Sequence, residues 1–287
     1  MDNDRPYDHH DDELHDHDRG LAHDLPRMLS RRRLLTMVGG GAGALALAAC
    51  SPGPSGGTTP GSGTTTAGAS ATTAGSGSGG GAQIPEETGG PFPGDGSNGP
   101  NVLTDSGVVR SDITRSFGTA SGVATGVPLT VRLTVLDTGN GSAALKGAAV
   151  YLWHCTVDGR YSLYSQGVTN ENYLRGVQET DADGVVTFAT IFPGAYSGRW
   201  PHMHFEVYPS LASATAARAK LRTSQLALPE ETCRVVYATD GYEQSARNLT
   251  GTSLQRDTVF RDGYSLQLAT ITGTVDNGLT ATLRVPV

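Results

Sequence analysis

The sequence LTVRLTVL at positions 129–136 places Leu or Val at every second position and Thr or Arg between them. Successive side chains of a β-strand point to opposite faces, so this alternation predicts a strand with one buried face. Six further runs are rich in β-branched or aromatic residues and are separated by Gly, Asp, Asn and Pro clusters, which is typical of strands and turns. They cover residues 148–155, 185–192, 202–208, 233–238, 266–273 and 279–287.

Helical patterns are scarce in the same part of the chain. An Ala-rich window at 211–221 predicts one helix, and a second short turn is expected near 242–248. Seven short strands with one or two short helices predict an all-β fold, namely an antiparallel β-sandwich. The sequence has no internal repeat and no Gly-rich phosphate-binding loop.

Charge is distributed unevenly over the 287 residues, whose formal net charge is −7. Residues 84–287 carry 19 acidic and 15 basic side chains and are long enough to bury a core. They contain no basic stripe that could neutralise phosphates, so we expect no nucleic-acid partner. No segment reaches the ~20 apolar residues that a membrane-spanning helix needs.

The first 50 residues resemble an export signal. Residues 1–27 are acidic and contain five of the eight histidines, without apolar residues that could fold them, so we expect a disordered leader. Arg31, Arg32 and Arg33 precede a short apolar run that ends at Cys50. A basic region before such a run defines an export signal, and the paired arginines resemble a Tat signal.

The run LAAC (47–50) resembles a lipobox, in which the cysteine is lipidated and becomes the mature N-terminus; an ordinary cleaved signal is the alternative. The uncharged Gly/Ser/Thr/Pro stretch that follows is a flexible linker. We therefore expect a Tat-type lipoprotein signal with an acidic leader at 1–49, a lipidated Cys50 with its linker at 50–83, and a catalytic domain at 84–287. The expected location is the outer face of the cell membrane, with a lipid anchor at Cys50 as the only membrane contact.

His202 and His204 form a His-x-His pair within a predicted strand. Both imidazoles would lie on one face of that strand, which is a moderate signal for a metal site. Glu206 continues the same face, so a zinc or copper site of another class stays possible at this point. The nearby tyrosines Tyr161 and Tyr196 point instead to ferric iron, because only a strongly acidic cation holds a phenol as phenolate at neutral pH.

Five segments, taken together and in order, resemble the intradiol ring-cleavage dioxygenases, a family that includes catechol and protocatechuate dioxygenases. Two of them carry tyrosines after a turn, one carries Arg-x-Pro-x-His-x-His, one carries a pocket glutamine, and one carries Thr-x-Gly-Pro. The segments are LWHCTVDGRYSLY (152–164), NYLRGVQETDADGVVTFATIFPGAY (172–196), GRWPHMHFEV (198–207), LRTSQL (221–226) and ETGGPFP (87–93).

The resemblance implies a non-haem Fe(III) enzyme that cleaves catecholic aromatics with O2 to cis,cis-muconate-type diacids. The implied metal ligands are Tyr161, Tyr196, His202 and His204, with Tyr196 as the ligand that the catechol displaces. Tyr196, Arg199 and Gln225 would be catalytic: Arg199 would stabilise carbanion character on the ring, and Gln225 would position substrate or oxygen. The alternative function is a non-catalytic, transthyretin-like β-sandwich binding module at the cell surface.

Two features distinguish the chain from the cytosolic members of that family. Tyr196 and His202 are only six positions apart, which implies a trimmed lid and an open pocket, and the helical dimerisation domain is missing, which slightly favours a monomer. The preferred catechol stays open. Cys155 and Cys233 are the thiols left after lipidation, and an even pair outside the cytosol favours a disulfide between them.

Overall fold

The computed structural model describes residues 81–216 and 219–287. The predicted signal, Cys50 and the linker up to residue 80 lie outside these residues. Within the two ranges, no helix combines the length and the apolar character needed to cross a bilayer.

The described residues form nine strands, three short α-helices and two 3₁₀ turns. The strands are β1 (Pro128–Asp137), β2 (Ala143–Ala144), β3 (Ala149–Trp153), β4 (Arg175–Glu179), β5 (Val185–Ile191), β6 (His202–Tyr208), β7 (Arg222–Ala227), β8 (Thr270–Thr274) and β9 (Gly278–Pro286). The helices are α1 (Leu211–Thr215), α2 (Glu230–Val236) and α3 (Glu243–Leu249), and the 3₁₀ turns are Thr138–Asn140 and Phe260–Asp262.

The first sheet is built around β1, the strand of the alternating motif. β5 and the short β2 pair with β1 in antiparallel fashion, and β9 pairs with it on the other side and continues to β8. The β1–β9 pair is parallel, with Leu133 opposite Leu283, so the sheet is mixed and not wholly antiparallel as predicted. No hairpin joins these two strands, which are far apart in sequence, and therefore no tight turn imposes an antiparallel direction.

The second sheet has the order β4-β3-β6-β7, with antiparallel pairs throughout. Its inner face packs on the first sheet, and side chains such as Leu152, Met203 and Phe205 join Val131 and Leu133 of β1 in the main core. The β-sandwich prediction is thus confirmed. Every residue of β6 is buried, which means that the outer face of this sheet is covered as well.

A second apolar cluster covers that outer face. Tyr151 and Trp153 of β3 lie there against side chains of long connecting segments, among them Phe92, Tyr161 and Tyr196. All three covering aromatics come from segments that the sequence analysis singled out. The candidate site is therefore located between the second sheet and its loops, and not between the two sheets.

Several predicted elements differ in the structure. Residues 233–238 belong mostly to α2, because Glu230 and Glu231 start a helix after Pro229 whose buried side chains recur at Cys233, Val236 and Tyr237. The helix predicted at 211–221 ends at Thr215. The run 266–273 is a strand only from Thr270, since the amides of Gln267 and Leu268 bond the carbonyl of Tyr264 in a turn. Strands β2, β4 and β7 were not predicted.

The predicted disulfide between Cys155 and Cys233 is wrong, because both thiols are free and buried. Cys233 packs into the core between the sheets, whereas Cys155 belongs to the outer cluster and donates to the carbonyl of Gly194 at 3.4 Å. Burial raises the pKa of the Cys155 thiol to about 12, so this thiol stays protonated at neutral pH. Each cysteine therefore acts as a small apolar side chain in its own cluster.

Candidate active site

Strand β6 carries both candidate histidines on its outer face, as the period-two argument predicted. The Nε2 atoms of His202 and His204 lie 3.1 Å apart, and both side chains are buried. In the register of the sheet, His204 is opposite Trp153 of β3 and Gln225 of β7. The indole of Trp153 stacks on the His204 ring with centroids 5.0 Å apart, which fixes the plane of that imidazole.

The hydrogen bonds of the two imidazoles define which nitrogens face the site. Nδ1 of His202 lies 2.5 Å from the carbonyl oxygen of Trp200, which can only accept, so this nitrogen carries the proton. The Nε2 lone pair of His202 therefore points to the site. Among the described residues, Nδ1 of His204 has no partner at normal hydrogen-bond geometry, and the Thr88 carbonyl lies near this ring.

Both imidazoles are held in the neutral form that a metal ligand requires. Burial, followed by the charge of Arg199, lowers the pKa of His202 well below its ordinary value. Burial, followed by the neighbouring His202 and then Arg199, lowers the pKa of His204 in the same direction. A neutral pair with converging Nε2 atoms can share a proton when no cation is present, and it can bind one cation with both lone pairs.

Tyr196 brings a third donor atom to this pair. Its hydroxyl lies 3.3 Å from Nε2 of His202. The loop after β5 is held in place by α3, because the Ala195 amide donates to Oγ of Ser245 and Asn248 donates to the Ala195 carbonyl. Helix α3, weakly predicted from the sequence, thus positions Tyr196.

Tyr161 contributes the fourth ring. Its centroid is 5.9 Å from that of Tyr196 and 6.3 Å from that of His204, both in edge-on geometry. The hydroxyl is buried and, within the described part of the chain, has no hydrogen-bond partner. Burial, followed by the adjacent Tyr196 phenol, raises the pKa of Tyr161 well above its ordinary value. The Tyr161 phenol therefore stays neutral unless a cation reaches it.

Arg175 anchors the segment that carries Tyr161. It is fully buried, and its guanidinium donates to Oγ and the carbonyl of Ser162 and to the carbonyl of Pro93. No described carboxylate forms an ion pair with it, so backbone and hydroxyl dipoles balance the charge. Leu163 and Leu174 flank the clamp with φ values of 72° and 57°, in a region that branched side chains seldom adopt. The Tyr161 turn is thus held in a strained shape, which is common at functional sites.

Arg199 lies beside the tyrosine and histidine donors and is 1% exposed. Its Nη1 donates to the Tyr196 hydroxyl at 3.4 Å, its Nη2 to Oε1 of Gln225 at 2.7 Å, and its Nε to Oδ2 of Asp257 at 2.9 Å. Tyr196 and Asp257 outweigh the effect of burial and raise the pKa of Arg199 above its ordinary value. The guanidinium is thus a fixed cation at the edge of the site.

Gln225 is bonded at both ends of its amide. Oε1 accepts from Arg199, and Nε2 donates to the Thr88 carbonyl at 2.9 Å. In this arrangement the glutamine orients Arg199 and the 88–91 segment. That segment lies against His204: Gly90 has a φ of +69°, and a Cβ there would lie 3.1 Å from Cε1 of His204. A glycine is therefore required at this close approach.

Two other candidate ligands are engaged elsewhere. Glu206 accepts from Lys220 at 2.5 Å and from the Tyr208 hydroxyl at 2.6 Å, so its carboxylate is used by an ion pair. The two ring nitrogens of His154 are bonded to the Cys155 carbonyl and to the Thr190 hydroxyl. Among the described residues, no group of three or more His, Cys, Asp or Glu side chains could hold a metal ion. A metal at this site therefore needs the tyrosines.

Sequence reasoning missed two residues of the site, Asp257 and Phe260. Asp257 binds Arg199, and the Phe260 ring packs edge-on against His202 with centroids 6.4 Å apart. Both belong to a stretch that showed no motif, and 58 residues separate Asp257 from Arg199. Only co-variation across homologous sequences could have revealed this pair.

Known proteins similar to this chain are dioxygenases. The family model described as Dioxygenase matches residues 98–218. An intradiol ring-cleavage dioxygenase from Tetranychus urticae superposes with a TM-score of 0.51 and 26% identity, over 62% of this chain and 86% of that one. The dioxygenase domain of a carbohydrate-binding fusion protein from Streptomyces sp. SirexAA-E gives a TM-score of 0.45 and 23% identity, over 72% and 98%. No curated protein matches the chain.

The two-sheet sandwich, with its tyrosines and histidines on the outer face of one sheet, defines an intradiol dioxygenase-like fold. Residues 98–218 match the dioxygenase family model, and the described fold is similar to that of an intradiol ring-cleavage dioxygenase, so the chain is an enzyme of this type. The resemblance stated from the sequence is thereby confirmed at the level of the family.

Proposed function

We propose that this enzyme uses a non-haem ferric ion to cleave catecholic rings with O2, giving cis,cis-muconate-type diacids. The single observation that carries the proposal is the convergence of four buried donors, the phenols of Tyr161 and Tyr196 and the Nε2 atoms of His202 and His204. No carboxylate takes part in this group, which distinguishes it from the donor sets typical of magnesium, calcium or manganese.

The residues present fit such an ion. Among the described residues, the Tyr161 hydroxyl is a buried polar atom without a hydrogen bond, which is rare in folded proteins and calls for a partner. A trivalent cation would give the Tyr161 oxygen that partner and would reverse the upward shift of its pKa. Ferric iron, when bound, supplies Lewis acidity that holds phenols as phenolates and activates the catechol ring toward O2.

Proton transfer, charge stabilisation and exclusion of water are assigned to residues of the chain itself. We assign Tyr196 as the group that would accept a catechol proton, at the phenolate oxygen that a bound ferric ion would maintain, and the resulting neutral phenol would stay within reach of the Arg199 guanidinium. Arg199 stabilises negative charge on the substrate ring from a fixed, buried position. Gln225 keeps the guanidinium oriented. Trp153 packs on the ring of His204 and Phe92 packs on the ring of Tyr161, so both exclude water from the site.

The alternative of a non-catalytic, transthyretin-like module finds no support in the site. A binding module has no need of four converging phenol and imidazole donors beside a buried arginine, and the family assignment is that of an enzyme. The alternative zinc or copper site with Glu206 also lacks support, because Lys220 and Tyr208 engage that carboxylate.

The test is purification of the full chain followed by metal analysis, visible spectroscopy and a catechol panel. We expect about one iron per chain, a reddish-brown colour from tyrosinate-to-iron charge transfer, and catechol-dependent O2 uptake with muconate absorbance. The panel should include catechol, hydroxyquinol, protocatechuate and substituted rings, because the sequence leaves the preferred substrate open. A colourless zinc protein without O2 uptake would contradict the proposal.

We also propose that the enzyme is a Tat-exported lipoprotein on the outer face of the cell membrane, anchored through Cys50. The proposal is supported by the arginine run, the LAAC motif and the uncharged linker that follows. One acyl chain binds a membrane only marginally, so stable anchoring needs the several chains of a lipoprotein. Cys50→Ala should release the enzyme into the soluble fraction with unchanged activity per chain; retention of the variant on membranes at high salt would refute the anchor.

A further inference from the structure

The carboxylate of Asp257 is the partner of the active-site arginine. Asp257 is fully buried, and its Oδ2 accepts from Nε of Arg199 at 2.9 Å and from the backbone amide of Trp200 at 2.7 Å. Its Oδ1 accepts from the amides of Val259 and Phe260 at 2.8 and 3.2 Å. Both oxygens thus accept hydrogen bonds, and the amides of its own turn fix the orientation of the carboxylate toward the arginine.

This arrangement leaves one nitrogen of the guanidinium for the site. Nε is bound by Asp257 and Nη2 by Gln225, so Nη1 is directed to the Tyr196 hydroxyl. A guanidinium is planar and rigid, and fixing two of its nitrogens therefore fixes the direction of the third. The Arg199–Asp257 pair is also neutral overall, which reduces the penalty for burying the cation.

We propose that Asp257 is a positioning residue, and that it makes the segment 257–260 a part of the active site by holding Arg199 at the angle that the reaction needs. The inference rests on the proposed function for the role of Arg199. It concerns a part of the chain that lies beyond the matched dioxygenase region, which ends at residue 218.

A second contact of the same segment points in the same direction. Phe260 is fully buried, follows Asp257 by three residues, and packs against the His202 ring. The turn that orients the Asp257 carboxylate through the Phe260 amide therefore also sets the Phe260 ring against a candidate metal ligand. One short segment thus supports both the arginine and a histidine of the site.

The activity test compares Asp257→Asn with Asp262→Asn, which changes an exposed aspartate of the 3₁₀ turn two residues beyond that segment. We expect Asp257→Asn to lose ~10²-fold in kcat, because a misplaced charged group costs about that much, with iron content unchanged and catechol KM within about threefold. Asp262→Asn should match the wild type. Equal loss of iron, colour and kcat in Asp257→Asn would indicate a merely structural role and would overturn the proposal.

A second test needs neither iron nor activity. Urea unfolding of the metal-free full chain is measured for Asp257→Leu, Arg199→Met and the double variant. Removing one partner leaves a buried charge unpaired, whereas removing both does not, so the double variant should lose less stability than the sum of the losses in the two single variants. Additive losses would mean that Asp257 does not act through Arg199. This test decides the pairing even if the wild type fails to turn over catechols.

Discussion

The two candidate tyrosine ligands should respond in opposite ways to the loss of their hydroxyl groups. In the metal-free protein the Tyr161 hydroxyl is buried without a partner, which costs about 1–3 kcal/mol of folding free energy. Tyr161→Phe removes that cost and should raise the free energy of unfolding by ~1 kcal/mol or more. Tyr196→Phe removes an acceptor from Arg199 and should lower the free energy of unfolding by about 1–2 kcal/mol.

The assay is urea unfolding of chelator-treated full-length protein, followed by tryptophan fluorescence. The chain has two tryptophans, Trp153 and Trp200, and both are buried beside the site, so the signal reports the unfolding of this region. Tyr237→Phe is the matched control, because its buried hydroxyl donates to the Pro193 carbonyl at 3.0 Å and lies outside the donor group. This control should lose about 1 kcal/mol.

The same variants are then loaded with ferric iron. We expect Tyr161→Phe to retain little iron and little colour, although its metal-free form is the more stable one. Tyr196→Phe should keep iron with a shifted visible band and lose turnover. A metal-free Tyr161→Phe protein that is less stable than the wild type by about 1 kcal/mol would show that the hydroxyl has a protein partner, and would refute the reasoning.

Three further predictions concern residues around the site. Arg175→Met should release the Ser162 and Pro93 carbonyls and weaken iron retention, measured as iron per chain after dialysis. Arg175→Lys should retain more iron than Arg175→Met but less than the wild type, because a lysine cannot span the same acceptors. Burial lowers the pKa of His154 to about 4, so the unfolded chain binds a proton at this residue before the folded chain does, and stability falls as the pH drops from about 6.5 towards 4. His154→Gln should reduce proton uptake on unfolding by one. An unchanged slope of unfolding free energy against pH would contradict this. Cys155 and Cys233 should not react with iodoacetamide in the folded protein, and both should react after denaturation even when no reductant is added. Peptide mapping that finds them disulfide-linked would overturn the assignment of free thiols.

The sequence predicted best where a periodic pattern coincides with a chemical motif. His202 and His204 lie on one strand face because the side-chain period of a strand is two, and this local rule holds whatever the rest of the chain does. The strand prediction for residues 233–238 was wrong for a related reason. Its apolar residues suit a strand by composition, but Cys233, Val236 and Tyr237 recur with helical spacing, and the acidic residues after Pro229 favour a helix start.

Pairs formed through space left no local signal. Asp257 reaches Arg199 across 58 residues, and Gln225 reaches the Thr88 carbonyl across 137. Neither contact follows from spacing or from composition. The parallel β1–β9 pair is a comparable case, since its direction is decided by the path of the whole chain. The strand period and the family resemblance together therefore predicted the candidate ligands, while the contacts of Arg199 with Asp257 and of Gln225 with Thr88 became visible only in the folded chain.

The site is assembled from segments that lie far apart along the chain, and this has a consequence for the order of folding. Closing long loops is entropically unfavourable until the contacts they bring together are complete, so such contacts form late. The hydrogen bonds that fix Arg175 to Pro93 and Gln225 to Thr88 span 82 and 137 residues. The contacts that hold the covering segments are therefore expected to form only after the sandwich, and a metal ion that needs these segments would stabilise the completed site and would not nucleate the fold, in contrast to a zinc finger. Amide hydrogen exchange should accordingly show the inner strands protected in metal-free protein, with metal binding slowing exchange mainly in the covering segments.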